Sequence, residues 1–237
     1  MTTVSDADIS RNVRQVLDNV SRAAALAGRD PSEITVIAAS KMNDADRVRI
    51  AVSSGITVCG ENRVQELVEK NALGAYAGCH LHFIGHLQKN KVKHVVGTAE
   101  LIHSIDSFPL LETVSRIAAE KGITQDVLLE INIASEASKS GLSPEEVPEI
   151  LSAAEELRNI RIRGLMAIPP ICENPEENLP FFARMRQLFI DNETKKYDNS
   201  SMDFLSMGMS HDYSAAIACG SNMIRVGTAI FGPRNYT

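Results

Sequence analysis

Lys41 closes the segment ITVIAASK at positions 34–41. Ile34, Thr35, Val36 and Ile37, all β-branched, run into Ala38, Ala39 and Ser40 as a buried parallel strand would, and a helical pattern starts near Asp44. An amine at the carboxyl end of such a strand stands on the edge where α/β folds bind ligands. If buried, it has a lowered pKa and can attack a carbonyl as the free amine. The small residues before it leave room for a flat group, although most lysines are simply solvated. Late in the chain, LSMGMS at 205–210 and CGSNMIRVGT at 219–228 concentrate Gly, Ser and Thr at strand ends. Ser210, Gly227 and Thr228 are natural donors to a phosphate there, while Gly208, Gly220 and Gly227 can equally serve tight turns. Arg225 falls inside the apolar run 223–226, where a buried guanidinium must face either a ligand or a structural ion-pair partner.

The other reactive residue types say less. His80 and His82 share a strand face, but no third ligand stands at a metal spacing, so they read as polar packing or pocket-lining groups and no metal is expected. Lys89, Lys91, Lys93 and His94 read as a solvated face, and Met166, Met207, Met209 and Met223 as filling of a barrel interior. Neither a nucleophile–histidine arrangement nor a catalytic carboxylate pair can be picked out, and no catalytic residue is assigned.

The elements that must position these groups alternate. Ser5 and Asp8 predict a capped helix over about 5–27 with Gly28 as its stop. Eight strands are expected at 34–40, 57–59, 81–84, 101–104, 127–133, 162–166, 204–207 and 223–226. Each except the last precedes a helix or helical turn, including 45–53, 63–73, 88–96, 108–121, a helix capped by Ser143, a long one over 175–196 and a short one over 213–218. This predicts an α/β fold with a parallel sheet, a single (β/α)8 or TIM barrel over 1–237 with an added N-terminal helix. An open doubly wound sheet is the other arrangement the alternation permits. No G-x-G-x-x-G follows the first strand, which disfavours a dinucleotide fold, and no repeat or linker marks a boundary.

The chain of 237 residues is 44% hydrophobic and 23% charged, ordinary for a globular protein able to bury a large core. A net charge of −6 with no basic block argues against nucleic acid or an anionic membrane as partner. No leader-like start or spanning apolar run is seen, and Cys59, Cys79, Cys172 and Cys219 lie far apart, so a cytoplasmic protein is expected.

The motifs AASK at 38–41, GENRVQE at 60–66, HFIGHLQKNK at 82–91, SID at 104–106, GLMAIPP at 164–170, LSMGMSHD at 205–212 and RVGTAIFGPR at 225–234 follow one another along the whole chain. In this order they resemble the YggS-like pyridoxal phosphate (PLP) homeostasis proteins, called PLPBP or PROSC in animals. That family is similar to the barrel domain of alanine racemase, PLP fold type III, without the C-terminal β domain. The resemblance implies that Lys41 forms a Schiff base with PLP, that Ser210, Gly227 and Thr228 hold its phosphate, and that Arg225 meets the pyridine nitrogen. Asn62 would lie beside the cofactor, with Met207 and His82 lining its pocket. An arginine cannot give the ring a proton, so PLP facing it is a weak electron sink. A monomeric carrier or buffer of PLP without strong catalysis is therefore expected, with PLP-dependent apo-enzymes as candidate recipients and a PLP-dependent amino acid racemase as the alternative. Three residues depart from the pattern expected of the family: Met42 to Asp44 lack a proline, Leu81 stands for a tryptophan, and Asn222, expected near the phosphate loops, stands for a threonine. The polar loop 134–141, with Glu136 and Lys139, is a candidate mobile segment or an ordinary connection.

Overall fold

The computed structural model describes residues 5–136, 140–195 and 197–233; Lys139, Lys196 and Arg234 lie outside the described residues. Eight parallel strands close into a barrel in sequence order: β1 (Thr35–Ala39), β2 (Val58–Glu61), β3 (His80–Phe83), β4 (Leu101–Ile105), β5 (Gln125–Ile131), β6 (Ile160–Ala167), β7 (Ser200–Met209) and β8 (Met223–Val226). β8 pairs with β1 through Thr35–Met223 to Ala38–Val226, which excludes the open doubly wound sheet. The helices are α1 (Asp6–Leu26), α2 (Ala45–Ser53), α3 (Val64–Ala72), α4 (Val92–Val95), α5 (Phe108–Glu120), α6 (Val147–Ala153), α7 (Leu179–Glu193), α8 (Tyr213–Ala218) and α9 (Thr228–Phe231).

Local rules account for several of these limits. Ser5 and Asp8 form the expected capping box of α1, and the buried face Ile9, Val13, Val16, Val20 and Ala24 follows the helical period. Two helical expectations are shortened. The run 88–96 is a 3-10 turn and one α-turn, ended where Val96 turns extended and Gly97 takes φ +74°, and 175–196 opens as a 3-10 turn before α7. β8 is followed by the short helix α9, which was not expected.

Two apolar layers hold the fold together. Ile37, Val58, Leu101, Leu128, Met166 and Met223 fill the barrel interior, with Phe204 against them. A larger cluster packs the outward strand faces against the helices, including Val36, Ala38, Leu129 and Ile224. Met166 and Met223 are therefore interior, as expected, whereas Met207 belongs to the outer layer and is fully buried there. Along β7 alternate residues face opposite layers, Phe204 and Ser206 inward and Leu205 and Met207 outward, so Met207 follows the parity of the outer face. At the amino-terminal end of the strands, Arg163 donates to Asp126 (2.6 Å) and Asp203 (2.5 Å) and lies over the Phe204 ring.

Candidate functional site at the carboxyl-terminal edge of the barrel

Because all strands run the same way, their carboxyl ends form one rim. Lys41 follows β1, Asn62 follows β2, Ser210 follows β7, and Gly227 with Thr228 follows β8, so the structure brings these five together on that rim. His82 and Arg225 lie just beneath it on β3 and β8. Met207 does not join them: its side chain fills the outer core, and its carbonyl accepts from Ser221 Oγ at 2.8 Å. Asn222 is also displaced from its expected place. It precedes β8, at the opposite end of the barrel from Gly227. There its Oδ1 accepts from Leu205 N (2.7 Å) and its Nδ2 donates to Asp203 O (2.7 Å). At about 3.3 Å per residue, five positions along a strand cross the whole sheet, so nearness in sequence does not put Asn222 at the rim.

The backbone around Lys41 is held from behind by a buried ionic cluster that sequence reading passed over. Lys70 Nζ donates to Glu61 (2.6 Å), Glu66 (3.0 Å) and the Ser40 carbonyl (2.8 Å). Glu61 Oε1 also accepts from Ser40 Oγ (2.6 Å) and Tyr76 Oη (3.1 Å), while Glu66 accepts from Met42 N (2.7 Å). The residues on either side of Lys41 are thus pinned, and Met42 is held at φ +61°, a left-handed conformation unusual outside glycine. Burial and the Glu61 charge push the Tyr76 hydroxyl far above its ordinary pKa, leaving it a neutral donor. The i,i+4 spacing of Glu66 and Lys70 on α3 was the one signal available in sequence.

Arg225 is buried and has no ion-pair partner among the described residues. Its Nη1 donates to Ser206 O (2.9 Å) and Oγ (2.5 Å), and its Nη2 to Ala167 O (2.9 Å). The Nε–H and one Nη2–H have no partner among the described residues. Burial lowers its pKa to about 10, opposed by the charges of Glu130 and Asp212. Glu130, on β5 at the parity of interior Leu128, has its own pKa raised by burial and by Asp106. His82 is 7% exposed and pairs through Nδ1 with His103 Nε2 at 3.0 Å; burial brings its pKa down to about 4 and that of His103 well below the usual histidine range. His80, by contrast, is exposed and meets Glu100 at 2.7 Å.

Two further polar features lie along the rim. The amides of Gly227 (3.1 Å) and Ala229 (3.3 Å) both donate to Ser210 Oγ, so hydroxyl and backbone N–H groups converge at one point. Asn62 Oδ1 is buried and has no hydrogen-bond partner among the described residues. The segment after β3 passes so close that a Cβ on Gly85 would lie 2.1 Å from the Asn62 carbonyl, which explains a glycine there. On the far rim, Asn132 bonds the Glu136 carbonyl (2.9 Å) and amide (3.1 Å), closing the first part of the loop 134–141. Among the described residues no three His, Cys, Asp or Glu side chains gather as a metal site, and no helix is long and apolar enough to cross a membrane.

Residues 12–235 match the family described as alanine racemase, N-terminal domain. The chain is 40% identical over 222 residues to the pyridoxal phosphate homeostasis protein of Aquifex aeolicus, covering 94% of this chain and 96% of that one. It is 41% identical over 235 residues to the protein of the same description in Escherichia coli K12, covering 97% and 98%. Among solved structures it is similar to PipY of Synechococcus elongatus with PLP bound, at 34% identity and a TM-score of 0.78 over 90% of this chain and 99% of that one.

Proposed function

The chain belongs to the alanine racemase N-terminal-domain family and, within it, to the pyridoxal phosphate homeostasis proteins, and from that premise we propose that it binds PLP through Lys41 and stores or delivers it. The reading is carried by Arg225: a buried guanidinium whose Nε–H and second Nη2–H have no acceptor among the described residues. The ring nitrogen of PLP is an acceptor of the kind those donors lack. When bound, PLP supplies a reactive aldehyde and, once its ring nitrogen is protonated, an electron sink; Arg225 donates a hydrogen bond without surrendering a proton and so withholds the second property. Ser210, Gly227 and Thr228 hold the phosphate, Asn62 offers its orphaned oxygen, and His82 lines the pocket. Met207 contributes no side chain to it.

Handing the cofactor to another amine needs only exchange at Lys41, with no step in bulk water. We therefore assign a carrier or buffer role without strong turnover, acting as a monomer in the cytoplasm, with apo forms of PLP-dependent enzymes as recipients. Chain 1–237 acts as one PLP-binding unit, to which α1 is an addition. An enzymatic reading has to place a second base opposite Lys41, and Glu130, with its raised pKa, is the buried group to which that role would fall.

Absorbance spectra of wild type and Lys41→Ala, with borohydride reduction and peptide mass mapping, test the binding. A yellow wild type with a reduced pyridoxyl group on Lys41 and a colourless variant are expected; a wild type that stays colourless with added PLP overturns the reading. Racemisation of alanine or serine at roughly 1 per second or faster would replace the carrier role with catalysis.

A further inference from the structure

Beneath the rim, four strands contribute polar side chains that join into one line across the barrel interior. Arg225 Nη1 donates to Ser206 Oγ (2.5 Å), Ser206 Oγ lies 3.1 Å from His103 Nδ1, and His103 Nε2 lies 3.0 Å from His82 Nδ1. Ser206 and His103 are fully buried, so no link in the line can be exchanged for water.

The direction of every link follows from its first member. Arginine only donates, so Ser206 Oγ accepts there and has one proton of its own to place. With Ser206 Oγ–H donating to a bare His103 Nδ1, His103 carries its proton on Nε2 and donates it to His82 Nδ1, which leaves His82 protonated on Nε2. The opposite order would have His103 Nδ1–H donate to Ser206, stranding the buried hydroxyl proton without an acceptor at a cost of about 1–3 kcal/mol. Burial keeps both rings neutral, as the line requires, because a doubly protonated ring has no acceptor to give.

We propose that Ser206 and His103 are positioning residues that pass the donor polarity of Arg225 to His82, holding His82 as the Nε2–H tautomer. The site then offers donors from two sides, Arg225 on β8 and His82 on β3, and selects a ligand with an acceptor atom for each. The ligand clause rests on the reading of the site as a PLP site; the tautomer clause does not.

Ring-nitrogen NMR on 15N-labelled, ligand-free protein at neutral pH reads the tautomers directly. Both His82 and His103 are expected to carry the proton on Nε2 and a bare Nδ1. A proton on Nδ1 of either ring overturns the proposal, and this wild-type measurement stands even if no variant folds. Ser206→Ala is expected to leave His103 a mixture of tautomers and to raise the Kd for PLP about 3- to 10-fold, and Ser206→Thr to restore both. Unchanged tautomers and Kd in Ser206→Ala would equally overturn it. A protein that shows the expected tautomers but takes up no PLP would reject the cofactor reading and leave the hydrogen-bond line intact.

Discussion

Asn62 holds a buried side-chain oxygen that the protein does not satisfy, at a cost of about 1–3 kcal/mol. Such a cost is tolerated where a ligand supplies the missing donor. Asn62→Ala should therefore leave the urea midpoint of ligand-free protein near or above that of wild type while weakening PLP binding about 10-fold, as read by titration of the visible band. A fall in stability with unchanged affinity would make Asn62 a scaffold residue. The two interior histidines act in the opposite sense. The native pKa of His82 is about 4, below its unfolded value near 6.5. As pH falls through this window the unfolded chain takes up a proton that the native site refuses. The contribution of His82 to stability is full above pH 6.5 and shrinks towards pH 4, losing about 2 kcal/mol by pH 5. His103, pushed lower still, adds a loss of the same sign. Urea melts at pH 7 and pH 5 should show this drop, and replacing both rings with glutamine should flatten it.

Among the elements, the junctions of β1 and β2 with α3 are tied together by the Lys70 cluster. Glu61 is fully buried and Lys70 is its only ion-pair partner among the described residues, so removing the Lys70 charge strands the Glu61 carboxylate. Lys70→Met should cost about 3–5 kcal/mol, whereas Glu61→Gln with Lys70→Met together should recover much of it, because no buried charge is then left alone. Equal losses in the single and double variants would mean that the cluster acts through packing. Tightness on β6 has a different origin. Gly164 has φ +141°, and a Cβ there would lie 2.0 Å from the Phe204 carbonyl of β7. Gly164→Ala should thus lose more than the roughly 1 kcal/mol typical of a point substitution and disturb the β6–β7 pairing, which circular dichroism and urea melts would register.

Over the whole molecule, a ligand held only by the native barrel stabilises all of it. At PLP concentrations about 100-fold above Kd the gain is about 2.7 kcal/mol, and for a chain of this size that raises Tm by roughly 5–10 °C. Lys41→Ala should lose most of that shift while keeping the Tm of the ligand-free protein. The proposed monomeric carrier predicts a single species of monomer mass by sedimentation at all PLP concentrations, and a dimer would overturn that part of the proposal.

Read alone, the sequence established the alternation of strands and helices and the place of Lys41 after the first strand. Strand and helix periods alternate clearly, β8 and α8 end where the apolar runs end, Ser5 and Asp8 cap α1, and Lys41 follows an unbroken β-branched run, because these are local properties of the chain. Tertiary structure decided which layer each strand residue enters and which distant groups meet. Along β7 the side chains alternate, with Phe204 and Ser206 towards the interior and Leu205 and Met207 in the outer layer; barrel closure set which parity faces inward, and that put Met207 in the outer core. Asn222 was moved to the far end of the barrel by the length of β8. The Lys70–Glu61 cluster and the line from Arg225 to His82 join residues whose partnership depends on barrel closure. A one-dimensional pattern records that such residues are polar, and only the closed barrel supplies the few ångströms that make them partners.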